Sequence, residues 1–140
     1  MEIQPEIFKY IPQRPPFVMV GELKSVFTTG IESSFVITET NLLVREGVFQ
    51  ESGLVENMAQ TAAMFAGYNA NKSNVPTPIG YIGAIKNLNI AALPSVNQTI
   101  TTRIQLDNEV MNIQIVNASV RNDAGELLAE CELRIFLKQD

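Results

Sequence analysis

GVFQESGLVENMAQTAA, residues 47–63, decides the architecture. Leu54, Val55, Met58, Ala59, Ala62, Ala63, Phe65 and Ala66 recur at helical spacing, and Ser52 can cap the first turn, so a helix is predicted over 52–68. Its apolar residues cover nearly the whole circumference, which marks a helix buried inside the protein rather than laid on its surface. Ala59, Ala62, Ala63, Ala66 and Gly67 keep one side thin, so other backbone can come close. Inside this rod stands a carboxylate, Glu56, in a chain with no histidine.

Working outward, PEIFKYI (5–11) suits a short helix with proline in its first turn. PQRPP (12–16) must be extended or turning, because prolines lack the amide donor and bias their predecessors away from helix. Strands are expected over 17–27 and 31–38, joined by a Thr28-Thr29-Gly30 turn. Beyond the helix, NANKSNVPTP (69–78) has the composition of a loop. A strand over 81–90 follows, and then the pattern alternates. Ile100, Ile104 and Leu106 share one face of a strand. Leu127, Ala129, Cys131, Leu133, Ile135 and Leu137 line one face of the last strand, after an Asn122–Gly125 turn. Between these two, the strand over 110–120 changes apolar phase near Ile115-Val116, the mark of a bulge or bend. Short helix, two strands, long buried helix, four strands: an antiparallel sheet curled around one helix buries both apolar surfaces, an α+β arrangement in a single domain over 1–140.

Composition excludes several classes of function. The chain has 140 residues, 46% hydrophobic and 18% charged, which is long and apolar enough for one core. A net charge of −5 argues against a nucleic-acid partner, which a basic face would serve. The ten Lys and Arg are scattered, no stretch reaches the roughly 20 apolar residues of a membrane span, and MEIQPEIFKY lacks the apolar segment of a signal peptide. One cysteine allows no internal disulfide. A soluble cytoplasmic protein without nucleic-acid or membrane partner is the expectation; Cys131 reads as core packing.

IPQRPPFVMV (11–20) and LVENMAQTAA (54–63) resemble, in order and separation, the LPHRPPFLLVD-like and LIEAMAQ-like segments of hotdog-fold 3-hydroxyacyl-ACP dehydratases of fatty-acid synthesis. YIGAIKNLNI (81–90) is similar to their later strand, and the likeness extends over most of the chain, nearest to divergent dehydratase-like proteins of aryl-polyene and related pigment pathways. The resemblance implies a hotdog fold, a curved antiparallel sheet wrapped around one long central helix. It also implies a homodimer building an apolar acyl tunnel between two subunits, with higher oligomers or a hotdog heterodimer as variants. Its chemistry pairs a histidine, which takes a proton α to the thioester, with a helix carboxylate that handles the hydroxyl.

Glu56 falls on that carboxylate. The histidine does not carry over: an ungapped alignment puts Leu42 there, and a shortened loop puts Arg45-Glu46-Gly47 there. Gly53 lies near, but out of register with, the glycine whose amide would face the carbonyl. Glu56 is therefore a general acid or base, a thioesterase base or nucleophile, or a structural glutamate satisfied by an arginine or by a backbone amide near the helix start. Glu46 is either a second carboxylate dividing the acid and base roles or a solvated loop residue. Gln60, one turn from Glu56, either bonds it or satisfies a buried contact. Gly53, Ala59, Gln60 and Ala63 leave room beside Glu56 for substrate. Arg45, Lys72 and Lys86 are candidates to dock an acyl carrier protein or coenzyme A, or else ordinary solubilising charges. No cofactor or metal is implied. The expected function is a dehydratase-like protein acting on 3-hydroxyacyl thioesters of acyl carrier protein. The alternatives are a thioesterase using Glu56 and a non-catalytic acyl-binding or heterodimer partner subunit.

Overall fold

The structure, a computed structural model, describes residues 3–138. The first two residues of the polar N-terminal stretch and the last two of the 1–140 span lie outside the described residues. A short 3-10 helix, Pro5–Lys9, is followed by strands β1 (Glu22–Phe27) and β2 (Gly30–Val36) and the two-residue strands β3 (Val44–Arg45) and β4 (Val48–Phe49). Helix α1 (Glu51–Lys72) comes next, then β5 (Ile79–Ile90), β6 (Thr99–Val110), β7 (Ile113–Arg121) and β8 (Leu127–Lys138). Six strands form one antiparallel sheet in the order β1-β2-β6-β7-β8-β5, while β3 and β4 make a separate hairpin. This is the hotdog fold, with α1 lying against the sheet.

The core lies between α1 and the sheet. Leu54, Met58, Met64 and Phe65 of the helix meet Ile31, Ile100, Ile104, Val116 and Leu133 of the strands, all of them buried. The alternation in β6 and β8 turns Ile100 and Ile104, and Ala129, Cys131, Leu133 and Ile135, inward. Small residues let elements approach: a Cβ on Gly67 would collide with the Tyr10 backbone, so the helix can seat against the N-terminal segment only because that position is glycine. Tyr10 and Tyr68 then meet edge to face, with ring centroids 5.6 Å apart.

Four local expectations are corrected. The helix starts at Glu51 with Gln50 as its N-cap residue, so Ser52 is inside the first turn; the Gln50 side chain turns back to donate to the Val48 carbonyl, 2.9 Å away. The helix also continues through Lys72, because Ala70 is buried and holds the last turn against the core, so the loop is shorter than 69–78. Residues 17–21 are not strand. Val18, Met19 and Val20 are buried as a strand's would be, but the amide and carbonyl of Met19 are met by the helix side chains Gln60 and Asn57 instead of a neighbouring strand. The phase change in β7 is real, yet the extra residue lies opposite it: Leu106 pairs with Val116 and Asn108 with Ile115, leaving Asp107 of β6 as the bulge.

Candidate active site

Glu56 stands in the second turn of α1 and is partly exposed. Its neighbours are held by a chain of buried amides. Gln60, one turn on, is 1% exposed. Its Oε1 accepts from the Met19 amide at 2.7 Å, and its Nε2 donates to the Phe17 carbonyl at 2.9 Å and to Glu56 Oε1 at 3.0 Å. Asn57, wholly buried, donates from Nδ2 to the Met19 carbonyl at 2.6 Å and accepts a short bond from the Thr102 hydroxyl. Thr61 donates to the Asn57 carbonyl at 2.7 Å and shares a 2.8 Å hydroxyl pair with Ser33. Both polar backbone groups of Met19 are thus satisfied by the helix, and residues 17–19 form a strap across it. The strap fixes one wall of the site, and Gln60 fixes the carboxylate relative to the strap.

Two cavities reach Glu56. The first, about 150 Å³, runs along the thin side of the helix, with Ala59, Ala63 and Ala66 on one wall, Ile82, Gln114 and Leu137 on the other, and both Glu56 and Gln13 among its lining residues. The second, about 350 Å³ and more open, lies between Phe17, Met19, Leu42 and Leu43. The carboxylate therefore sits where an apolar slot meets an entrance. No salt bridge to Glu56 occurs among the described residues, and its side-chain partner is the Gln60 amide. Such a group can exchange a proton with a ligand in either cavity.

Ala63 and Gln60 are brought to Glu56, the first as cavity wall and the second as hydrogen-bond donor. Gly53 packs under the Phe49 ring, which lies 2.5 Å from where a Cβ would be. Glu46 and Gly47, both at positive φ, form the tight turn between β3 and β4. Glu46 and Arg45 are exposed there and line neither cavity that Glu56 reaches. Leu42 and Leu43, just before β3, line the second cavity, and Leu42 is 53% exposed. Lys86 and Lys72 are exposed, on β5 and at the end of α1, and line neither cavity. Cys131 is buried against Met58, and burial pushes its thiol up to about 11. Arg14 is tied down locally. It donates to the carbonyls of Ile11 and Gln13, each at 2.8 Å, and of Phe8 at 3.1 Å, and stacks over the Phe8 ring.

Asn57 and Gln13 are the residues that sequence reasoning passed over. Asn57 carries no signal beyond its place next to Glu56. Gln13 does carry one: it stands where the LPHRPPFLLVD-like pattern has its histidine.

A hotdog fold with one helix carboxylate at the mouth of an apolar slot defines a dehydratase-like or thioesterase-like hotdog protein. The chain matches the model of the ApeP-like family, described as ApeP dehydratase, over residues 5–140, and it belongs to that family. Among solved structures it is similar to the dehydratase heterocomplex ApeI:P from Xenorhabdus doucetiae, with a TM-score of 0.87, 12% identity, and 96% of this chain and 91% of that chain covered. It is also similar to a hypothetical thioesterase with coenzyme A from Streptococcus pneumoniae TIGR4 (TM-score 0.70, 9% identity, 85% and 86% covered). The PaaI protein of the E. coli phenylacetic acid degradation operon is a third (TM-score 0.65, 10% identity, 82% and 81% covered). At these identities the likeness is one of fold. No curated protein sequence matches the chain.

Proposed function

We propose that this chain is a dehydratase-like subunit that acts on 3-hydroxyacyl thioesters of acyl carrier protein, with Glu56 as its acid. Loss of water from such a thioester needs two groups. A base takes the C2 proton, the C2–H electron pair becomes the second C2–C3 bond, and the C3–O bond breaks as the oxygen takes a proton from an acid. Glu56 in its protonated form is the donor, regenerated by the proton that the base releases. The base works best as an imidazole near neutral pH, and this chain has none. It therefore comes from a histidine-bearing hotdog partner, and Glu56 serves a site built from two different subunits.

The position of Glu56 carries this reading. The slot it faces is walled on one side by Gly80 and Ile82 of β5, the edge strand of the sheet. That edge exposes Ile79, Tyr81, Ile82, Ile85 and Leu88, an apolar row suited to a second sheet. A partner docked on β5 brings its own groups to the slot that Glu56 faces. The ApeI:P structure is itself a dehydratase heterocomplex.

The test is a dehydration assay on 3-hydroxyacyl-carrier protein, with this chain alone, the histidine-bearing partner alone, and both together, read by mass spectrometry. Full activity is expected only from the pair, and Glu56→Gln in this chain is expected to lower it by about 100-fold or more. A Glu56→Gln pair with unchanged rate would exclude Glu56 from the chemistry. Thiol release by the chain alone would instead favour the thioesterase reading, which the fold of the coenzyme A-bound thioesterase supports.

A further inference from the structure

Among the described residues, Gln13 Oε1 is buried with no hydrogen-bond donor facing it. Buried side-chain acceptors are nearly always paired, because an unpaired one forfeits its hydration and gains nothing in return. The same side chain borders the slot that Glu56 faces. An orphaned acceptor on the wall of a cavity that one carboxylate, Glu56, also lines is arranged to receive a donor that arrives with a ligand.

Its surroundings make the placement rigid. Gln13 lies between Pro12 and Arg14, with Pro15 and Pro16 beyond, so little backbone freedom remains. Arg14 donates to the carbonyl of Gln13 itself and to those of Ile11 and Phe8, locking the turn onto the short helix before it. Ile11 and Tyr10 are buried beneath. The backbone that presents the side chain is thus fixed, so placing its carbonyl on a ligand costs little further backbone entropy.

We infer that Gln13 is a substrate-orienting residue whose Oε1 accepts a hydrogen bond from the 3-hydroxyl of the acyl thioester, and so selects hydroxylated over saturated chains. This rests on the function proposed above. Gln114 is the other neutral polar side chain on the slot wall, but it holds no orphaned buried atom; the rest is largely alanine, isoleucine and leucine, which recognise an alkyl chain but not its hydroxyl. With its hydrogen held by Gln13, the hydroxyl oxygen presents a lone pair to Glu56, which is the direction in which it must receive a proton as the C3–O bond breaks. The water formed takes one proton from Glu56 and keeps the one bonded to Gln13. The enoyl product has no hydroxyl to offer and is held less well than the substrate.

The experiment uses the complex with its partner in a Glu56→Gln background, so that bound substrate does not turn over. Affinities are measured for the 3-hydroxyoctanoyl and octanoyl thioesters of N-acetylcysteamine, with Gln13 intact and as Gln13→Met. With Gln13 the hydroxylated probe should bind about tenfold more tightly, and in Gln13→Met the two should agree within about twofold because only the hydroxyl contact is lost. A preference that survives Gln13→Met overturns the assignment and leaves the proposed function standing. Failure of both probes to bind the intact complex overturns that function and this inference together. A second measurement needs no ligand. Replacing an unpaired buried acceptor with an apolar group should leave the melting temperature of the free chain unchanged or higher, whereas a fall of several degrees would make Gln13 structural and refute the inference.

Discussion

Replacing Gln60 with methionine keeps the side chain's length and removes all three of its hydrogen bonds. The Met19 amide is left in a buried environment with no acceptor, which costs about 1–3 kcal/mol. The Phe17 carbonyl belongs to a residue that is 62% exposed and recovers water, so its lost bond costs about 1 kcal/mol or less. The bond to partly exposed Glu56 contributes little to stability. Better burial of methionine returns a few tenths, so the sum is a loss of about 1–4 kcal/mol, a large part of the roughly 5–15 kcal/mol that holds a domain. Urea unfolding should show a lower midpoint with unchanged slope, and thermal unfolding a fall of about 3–15 °C. The strap should loosen before the sheet does, so amides of residues 17–20 should exchange faster than those of β6–β8. A Gln60→Met protein within 1 kcal/mol of the parent would refute the view that this amide holds the strap to the helix.

Three further outcomes follow from the packing. Gly67→Ala must push α1 off the Tyr10 backbone and should cost about 3 kcal/mol or more, read by the same urea titration. Ile85→Glu on the exposed edge of β5 should abolish association with the partner, seen as a smaller species in light scattering, while the melting temperature of the free chain stays within about 2 °C. Cys131 should resist iodoacetamide at pH 8 until the protein is unfolded. Its thiol is raised to about 11 from 9.0, so above pH 9 the unfolded chain sheds a proton that the folded one keeps. Stability should therefore decline between pH 9 and 11, by about 2 kcal/mol from this group, and Cys131→Ala should flatten that decline in pH-dependent unfolding.

The long helix and the last strand were legible because burial imposes a period on a sequence. The apolar run from Leu54 to Ala66 and the alternation from Leu127 to Leu137 can each bury themselves in one way only. The strap was not legible. Val18 and Val20 carry the pattern of a strand, but the amide and carbonyl of Met19 between them pair with side chains about forty residues downstream, which no local window contains. The bulge was half visible: a phase change appears in β7 alone, whereas its extra residue belongs to β6, and register is a property of two strands. Glu56 could be located from the ENMAQ segment, while the orphaned oxygen of Gln13 became apparent only once the proline turn, the helix and β5 were assembled.

The sheet's two ends differ in kind. β1 has six residues, kinked between Leu23 and Ser25 and carrying exposed Lys24, whereas β5 has twelve with an apolar fringe. One end is blunt and the other adhesive. A head-to-tail filament would need both ends to accept a neighbour, so addition through the adhesive end stops after a single step and yields a closed pair instead of a fibre. On the pairing proposed above, a chain capped along β5 keeps no second adhesive end from which to polymerise.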